Sequence, residues 1–167
     1  MSAWRDDEDQ RGRPQTGDSR KLAVRVAAVV PLPAALGGAG EILAIAAFGS
    51  ARLPAGELNP GESLFAAARR VIWQAAGVGA TAERLVYLVE RAGRELIFCV
   101  LCVLDESDDA PDRAGVRFVS PAAADEFEPE GTRELLLDDC AQGFARGVAH
   151  ILLTPTEQGR EAVTVQW

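Results

Sequence analysis

Lysine is almost missing from this chain: Lys21 is the only one among 17 basic side chains, and the arginines are scattered among 25 acids for a net charge of −8. A protein that holds a nucleic-acid backbone shows a basic patch or stripe that neutralises phosphates, so a nucleic-acid partner is not expected. Histidine occurs once, as His150, with no nucleophile elbow and no acid at a defined spacing, so a Ser-His-Asp type triad is not supported. No apolar run is long enough for a membrane-spanning helix, and Met1 to Asp9 contains no signal-peptide core, which makes the cytoplasm the expected location. Cysteine is limited to Cys99, Cys102 and Cys140. Cys99 and Cys102 lie three apart in the apolar run 96–104, where a strand turns them to opposite faces. That makes a poor zinc half-site, and all three thiols are expected as small core residues without a disulfide. Gly37-Gly38-Ala39-Gly40 lacks the Gly-Lys-Ser/Thr ending of a phosphate loop.

What is present suffices for one domain. The chain has 167 residues, 48% hydrophobic and 25% charged, enough for a full core and too few for two comfortable ones. Residues 1–20 are polar and charged, and are expected as a flexible tail, with Trp4 the only candidate for a binding arm. The run 22–30 reads as a strand stopped by Pro31 and Pro33, and Glu41 to Phe48 as its hairpin partner across the glycine-rich turn. Residues 84–90 and 95–104 form a second expected hairpin around Ala92-Gly93-Arg94, 116–119 a short strand, and Thr132 to Val148 a helix with Leu136, Cys140, Phe144 and Val148 on one stripe. The domain is expected over 21–153, with 154–167 a C-terminal extension.

The most informative stretch runs from Leu53 to Val78. Asn59, Pro60 and Gly61 form turns, Ser63 is a helix N-cap, Leu64, Ala68, Val71 and Ala75 make an apolar stripe, and Gly77 is a C-terminal cap. An ordinary turn and buried helix account for all of that. Yet Gly56, Glu62, Arg70, Ile72, Gly77 and Val78 also stand at the spacing of the Nudix box: Gly, five residues, Glu, seven residues, Arg-Glu, an aliphatic, any residue, Glu-Glu, any residue, Gly, an aliphatic. The chain resembles the Nudix hydrolase superfamily over about residues 20–150, with a degenerate box. The resemblance implies an α/β fold, a Nudix-like α/β/α sandwich with a mixed β-sheet. The chain departs from the pattern where the family carries Trp before Leu-Pro and a double Gly after it, because Ala51 and Ala55 stand there.

The larger departure is chemical. The family's three helix glutamates are replaced by Val71, Gln74 and Ala75, positions that share one helix face. Magnesium and manganese want charged oxygen ligands, and these side chains supply one neutral carbonyl oxygen. No resident metal or other cofactor is therefore expected. Glu57 and Glu62 are the remaining candidate acids, Glu62 with a loop-supporting role and Arg70 a structural one. The resemblance allows a downstream loop base, and Asp125, Glu126, Glu128 and Glu130 form an acidic run there, more simply read as solvated charge.

Three readings follow. The favoured one is a Nudix-fold pseudoenzyme that binds a nucleotide-like small molecule or a protein partner without efficient pyrophosphohydrolase activity. The second is a divalent-metal-dependent hydrolase of a nucleoside diphosphate derivative, with magnesium or manganese in a rearranged site around Glu57, Glu62, Gln74 and an acid of the downstream loop. The third is an associating module, homo-oligomers included, that uses exposed apolar surface such as Trp73 or Trp167. Beside the box helix, Trp73 itself is expected in the core.

Overall fold

A computed structural model describes residues 21–33, 38, 40–105 and 113–167. Its elements run in the order β1 (Ala23–Val29), β2 (Ile42–Ala47), β3 (Ser50–Arg52), β4 (Ala55–Glu57), α1 (Leu64–Ala76), β5 (Ala80–Arg91), β6 (Glu95–Leu104), β7 (Val116–Val119), β8 (Glu126–Glu128), α2 (Arg133–Gln142), β9 (Ala149–Pro155) and β10 (Glu161–Gln166). The tail, most of the glycine-rich turn and the acidic loop after β6 lie outside the described residues.

The expected mixed sheet is present in two parts. Six strands order as β10-β9-β5-β6-β1-β4, with β1–β6 and β5–β9 parallel, and four order as β7-β2-β3-β8, with β3–β8 parallel. The expected β1–β2 hairpin is corrected. Only a bridge between Pro31 and Ile42, with Leu32 N–H donating to Glu41 O and Leu43 N–H to Val30 O, joins the two before each enters a different sheet. Pro31 and Pro33 carry no N–H, so the ladder cannot extend past them. The β5–β6 hairpin holds, pairing Arg91 with Glu95 across Gly93, whose φ of 67° suits glycine.

Strand alternation sorts the large sheet into two cores. Ala27, Val29, Ile97, Cys99 and Leu101 face a cluster completed by the small sheet (Ile42, Ala44, Ala51, Phe127) and by Leu135 and Leu136 of α2. Val26, Ala28, Val100 and Cys102 face the other side, where Ala67, Ala68, Val71, Ile72 and Ala76 of α1 cover them. Cys99 and Cys102 are thus buried on opposite faces, as their spacing predicts, and burial pushes each thiol up to about 12. Cys140 is only half-buried, and burial again pushes it up, to about 11; all three cysteines are free.

The second helix is shorter than its apolar spacing suggests. Gly143, at φ 66°, caps it, so Phe144 packs in the core from beyond the helix and Val148 is exposed. Residues 161–166, read as part of an extension, form β10 and pair with β9 from Glu161↔Pro155 to Gln166↔His150. Among the described residues no helix is long and apolar enough to cross a membrane.

Candidate functional site

Local chemistry builds the box helix. Ser63 Oγ accepts the Ala66 N–H at 3.2 Å, and Gly77 closes α1 in the left-handed conformation, its N–H donating to Trp73 O. Arg113 donates to Gln74 O and lies against Gly77, placing a guanidinium at the negative end of the helix. The helix presents Ala67, Ala68, Val71, Ile72 and Ala76 to the sheet. Trp73 falls on the far side at 60% exposure, which corrects its expected place in the core.

The loop before the helix is tied down by one arginine. Arg70 Nε donates to Glu62 Oε1 and Nη2 to Glu62 Oε2, both at 2.8 Å. Nη2 also donates to Glu57 O at 2.8 Å, and Nη1 to Gln74 Oε1 at 3.2 Å. Glu62 further accepts the Asn59 N–H at 3.2 Å. The Arg70 guanidinium is the main cause holding the Glu62 carboxyl below the usual carboxylate range. Because the folded-state value is depressed, the stability from this pairing is fully present above the ordinary glutamate range and is lost as pH falls below that range through the folded-state value. Glu62→Gln is therefore expected to lower the melting temperature at neutral pH, and the gap to wild type to close in acid. Parallel melts from neutral pH to below pH 4 check this; a constant gap would exclude Glu62 ionisation as the cause.

The three helix positions where the Nudix pattern carries glutamates are occupied differently. Val71 is 2% exposed and packs on Gly56, where a Cβ would sit 3.1 Å from Val71 Cγ1. Gln74 is exposed with its carbonyl oxygen on Arg70, Ala75 is half-buried, and the Glu57 side chain is exposed. Among the described residues no three His, Cys, Asp or Glu side chains cluster as metal ligands would. Asp125, Glu126, Glu128 and Glu130 are all exposed. His150, on β9, lies 3.0 Å from Glu90 Oε2 in a half-exposed pair on the neighbouring strand β5.

One chemical feature escaped the sequence reading. Beside the box, from Ala55 outward, a cleft of about 250 Å³ opens with Ile45, Leu53 and Ile97 among its walls. Three arginines from separate strands, Arg25, Arg52 and Arg91, line it together with Glu95, Glu128 and Glu130. Arg25 pairs with Glu95 at 3.2 Å, and Arg91 bridges Glu95 at 2.9 Å and Glu161 at 2.8 Å. Arg52 has no side-chain hydrogen bond or ion pair among the described residues, which leaves its guanidinium uncommitted. Burial and a hydrogen bond with Glu161 raise the Glu130 carboxyl above its ordinary value. Arg25 and Arg91 alternate in step with the buried Ala27 and Val89, whereas Arg52 is exposed beside the buried Ala51, and arginines so placed are too common in strands to single out.

No family model and no curated protein sequence matches the chain. Solved structures do. A Nudix hydrolase from Nitrosomonas europaea is 17% identical with a TM-score of 0.59, over 78% of this chain and 77% of that one. An ADP-ribose pyrophosphatase from Streptococcus suis is 17% identical at 0.58, over 78% and 98%. A MutT protein from Bacillus halodurans is 11% identical at 0.57, over 87% and 98%. The fold is the Nudix fold.

Proposed function

We propose that this Nudix-fold chain binds a small anionic, nucleotide-like molecule in the arginine-lined cleft without efficient pyrophosphate hydrolysis. The observation that carries this reading is the contrast between two adjacent places. At the box, Val71 is packed onto Gly56 and Glu62 is consumed by Arg70, so the donor set does not fit a divalent cation. In the cleft, Arg52, unpartnered among the described residues, can meet a phosphate or carboxylate beside Ile45, Leu53 and Ile97, while the lining Glu95 is already paired with Arg25 and Arg91. The fold neighbours include an ADP-ribose pyrophosphatase, which makes nucleoside diphosphate derivatives the natural probes.

The test is calorimetric titration with magnesium and manganese, then with ADP-ribose and UDP-glucose, while the same samples are assayed for phosphate release. Nucleotide binding without metal and without turnover is the expected result, and Arg52→Ala should weaken that binding roughly tenfold, the loss of one charge-assisted contact. Metal-dependent turnover would overturn the reading and direct attention to Glu57 and Glu62.

A further inference from the structure

The side of the sandwich beyond the cleft carries a second concavity of about 780 Å³, formed where the two sheets end together. On one side stands β8, the last strand of the small sheet, and on the other β10, the last strand of the large one. Phe127 and Leu135 are buried in its floor, while Val163 and Val165 project from β10 at 47% and 38% exposure. Gly131 continues the floor: at φ +81°, a Cβ there would lie 2.8 Å from Ile151 Cγ2 and 3.0 Å from Val163 Cγ1, so β9 and β10 side chains pack directly over its backbone. Solvent-exposed edge strands are normally protected by lysine, proline, bulges or inward charge. From Glu161 to Gln166, β10 has one charged side chain, Glu161, and it is held by Arg91.

The rim is acidic. Asp125, Glu126 and Glu134 line the groove, and its single base, Arg133, is spent on the Pro121 and Ala122 carbonyls at 3.0 and 3.2 Å. We infer that this groove docks an extended segment of a partner protein that adds to the β10 edge, setting branched apolar side chains on Val163 and Val165 and flanking arginines or lysines against the carboxylate rim. Strand addition of this kind takes affinity from main-chain hydrogen bonds and specificity from alternate side chains. The groove does not contain Arg52; it shares Glu128 and Glu130 with the arginine-lined cleft, but the residues that carry this inference, Glu126, Glu134, Val163 and Val165, do not line that cleft.

The probe is a fluorescein-labelled peptide of alternating valine and threonine flanked by paired arginines, compared by anisotropy with the same peptide carrying glutamates instead. Saturable binding of the basic peptide alone is expected. Glu126→Lys with Glu134→Lys should weaken it at least tenfold and Val163→Asn about fivefold, whereas Glu157→Lys, a charge reversal in the β9–β10 turn, should leave it unchanged. Circular dichroism confirms that each variant is folded. Binding that ignores Val163→Asn would reduce the effect to surface charge and overturn the inference, as would no binding of the basic peptide. Self-association abolished by Val163→Asn would also overturn it, giving the groove to a second copy of this chain.

Discussion

Asp139→Ala is expected to remove about 3–5 kcal/mol of unfolding free energy, the range for stripping one partner from a buried charged network. Asp139 is 3% exposed and holds two groups at once: its Oδ2 accepts the Tyr87 hydroxyl at 2.6 Å, and its Oδ1 accepts Arg146 Nε at 2.7 Å. Its backbone carbonyl also accepts the Phe144 N–H at 2.8 Å, closing the end of α2. Arg146 in turn lies over the Trp167 ring, 4.4 Å from the centroid, which fastens the chain end beyond β10. Truncating the carboxylate leaves a fully buried phenol and a partly buried guanidinium without their shared acceptor. Arg146 would keep only a long ion pair, Nη1 to Asp138 Oδ2 at 3.7 Å, and its Nη2 has no hydrogen-bond partner among the described residues, so compensation is weak. Urea unfolding at neutral pH measures the loss, a large share of the 5–15 kcal/mol typical of a domain. Tyr87→Phe should cost less, about 1–3 kcal/mol, because Arg146 keeps its carboxylate. A loss under about 1 kcal/mol for Asp139→Ala would mean that water or a rearranged arginine replaces the network. Burial holds the Tyr87 phenol far above its ordinary value, so its own ionisation plays no part near neutrality.

Val71→Glu alone should destabilise the protein by about 3–5 kcal/mol, because it drives a carboxylate into the face of α1 that packs on Gly56 and the β1 side chains, where the neighbouring Arg70 guanidinium is already committed to Glu62. Gln74→Glu and Ala75→Glu fall at exposed and half-exposed positions and should each cost little. The three together recreate a carboxylate face on one side of the helix. If the cleft geometry beside Gly56 is that of a metal-binding box, magnesium at about a hundredfold excess over its Kd should return about 2.7 kcal/mol to the triple variant by binding only the folded state, and should leave wild type unmoved. Melting curves with and without magnesium decide the matter. A triple variant indifferent to the ion would show that the missing glutamates are not the only obstacle, and a wild type stabilised by it would contradict the proposed metal-free site.

The readable parts of this fold were those specified by neighbours in the chain. Ser63 and Gly77 bound α1 because capping is settled within one helical turn, and the Cys99 and Cys102 faces follow from strand alternation alone. The errors arose where tertiary structure decides. An apolar stripe from Leu136 to Val148 suggested one long helix, but Gly143 takes a left-handed conformation and Phe144 reaches the core from outside. Trp73 has the hydrophobicity of a core residue, yet helical phase turns it away from Ala68 and Val71 at the centre of the buried face. Three-residue strands such as β3, β4 and β8 are too short to show a period. Arg25, Arg52 and Arg91 meet only because β1, β3 and β5 converge from two sheets, so their cleft had no local signature, while the Glu62 to Arg70 pairing, carried within one loop and helix, did.

The two cysteines of β6 give this protein an internal pair of clocks. Cys99 is shut beneath the small sheet and α2, whereas Cys102 is shut beneath α1. Neither thiol ionises appreciably near neutrality, so each reacts with an alkylating reagent only when its own side opens. Timing the two modifications by peptide mass in one sample would report whether the halves of the sandwich come apart together or in succession.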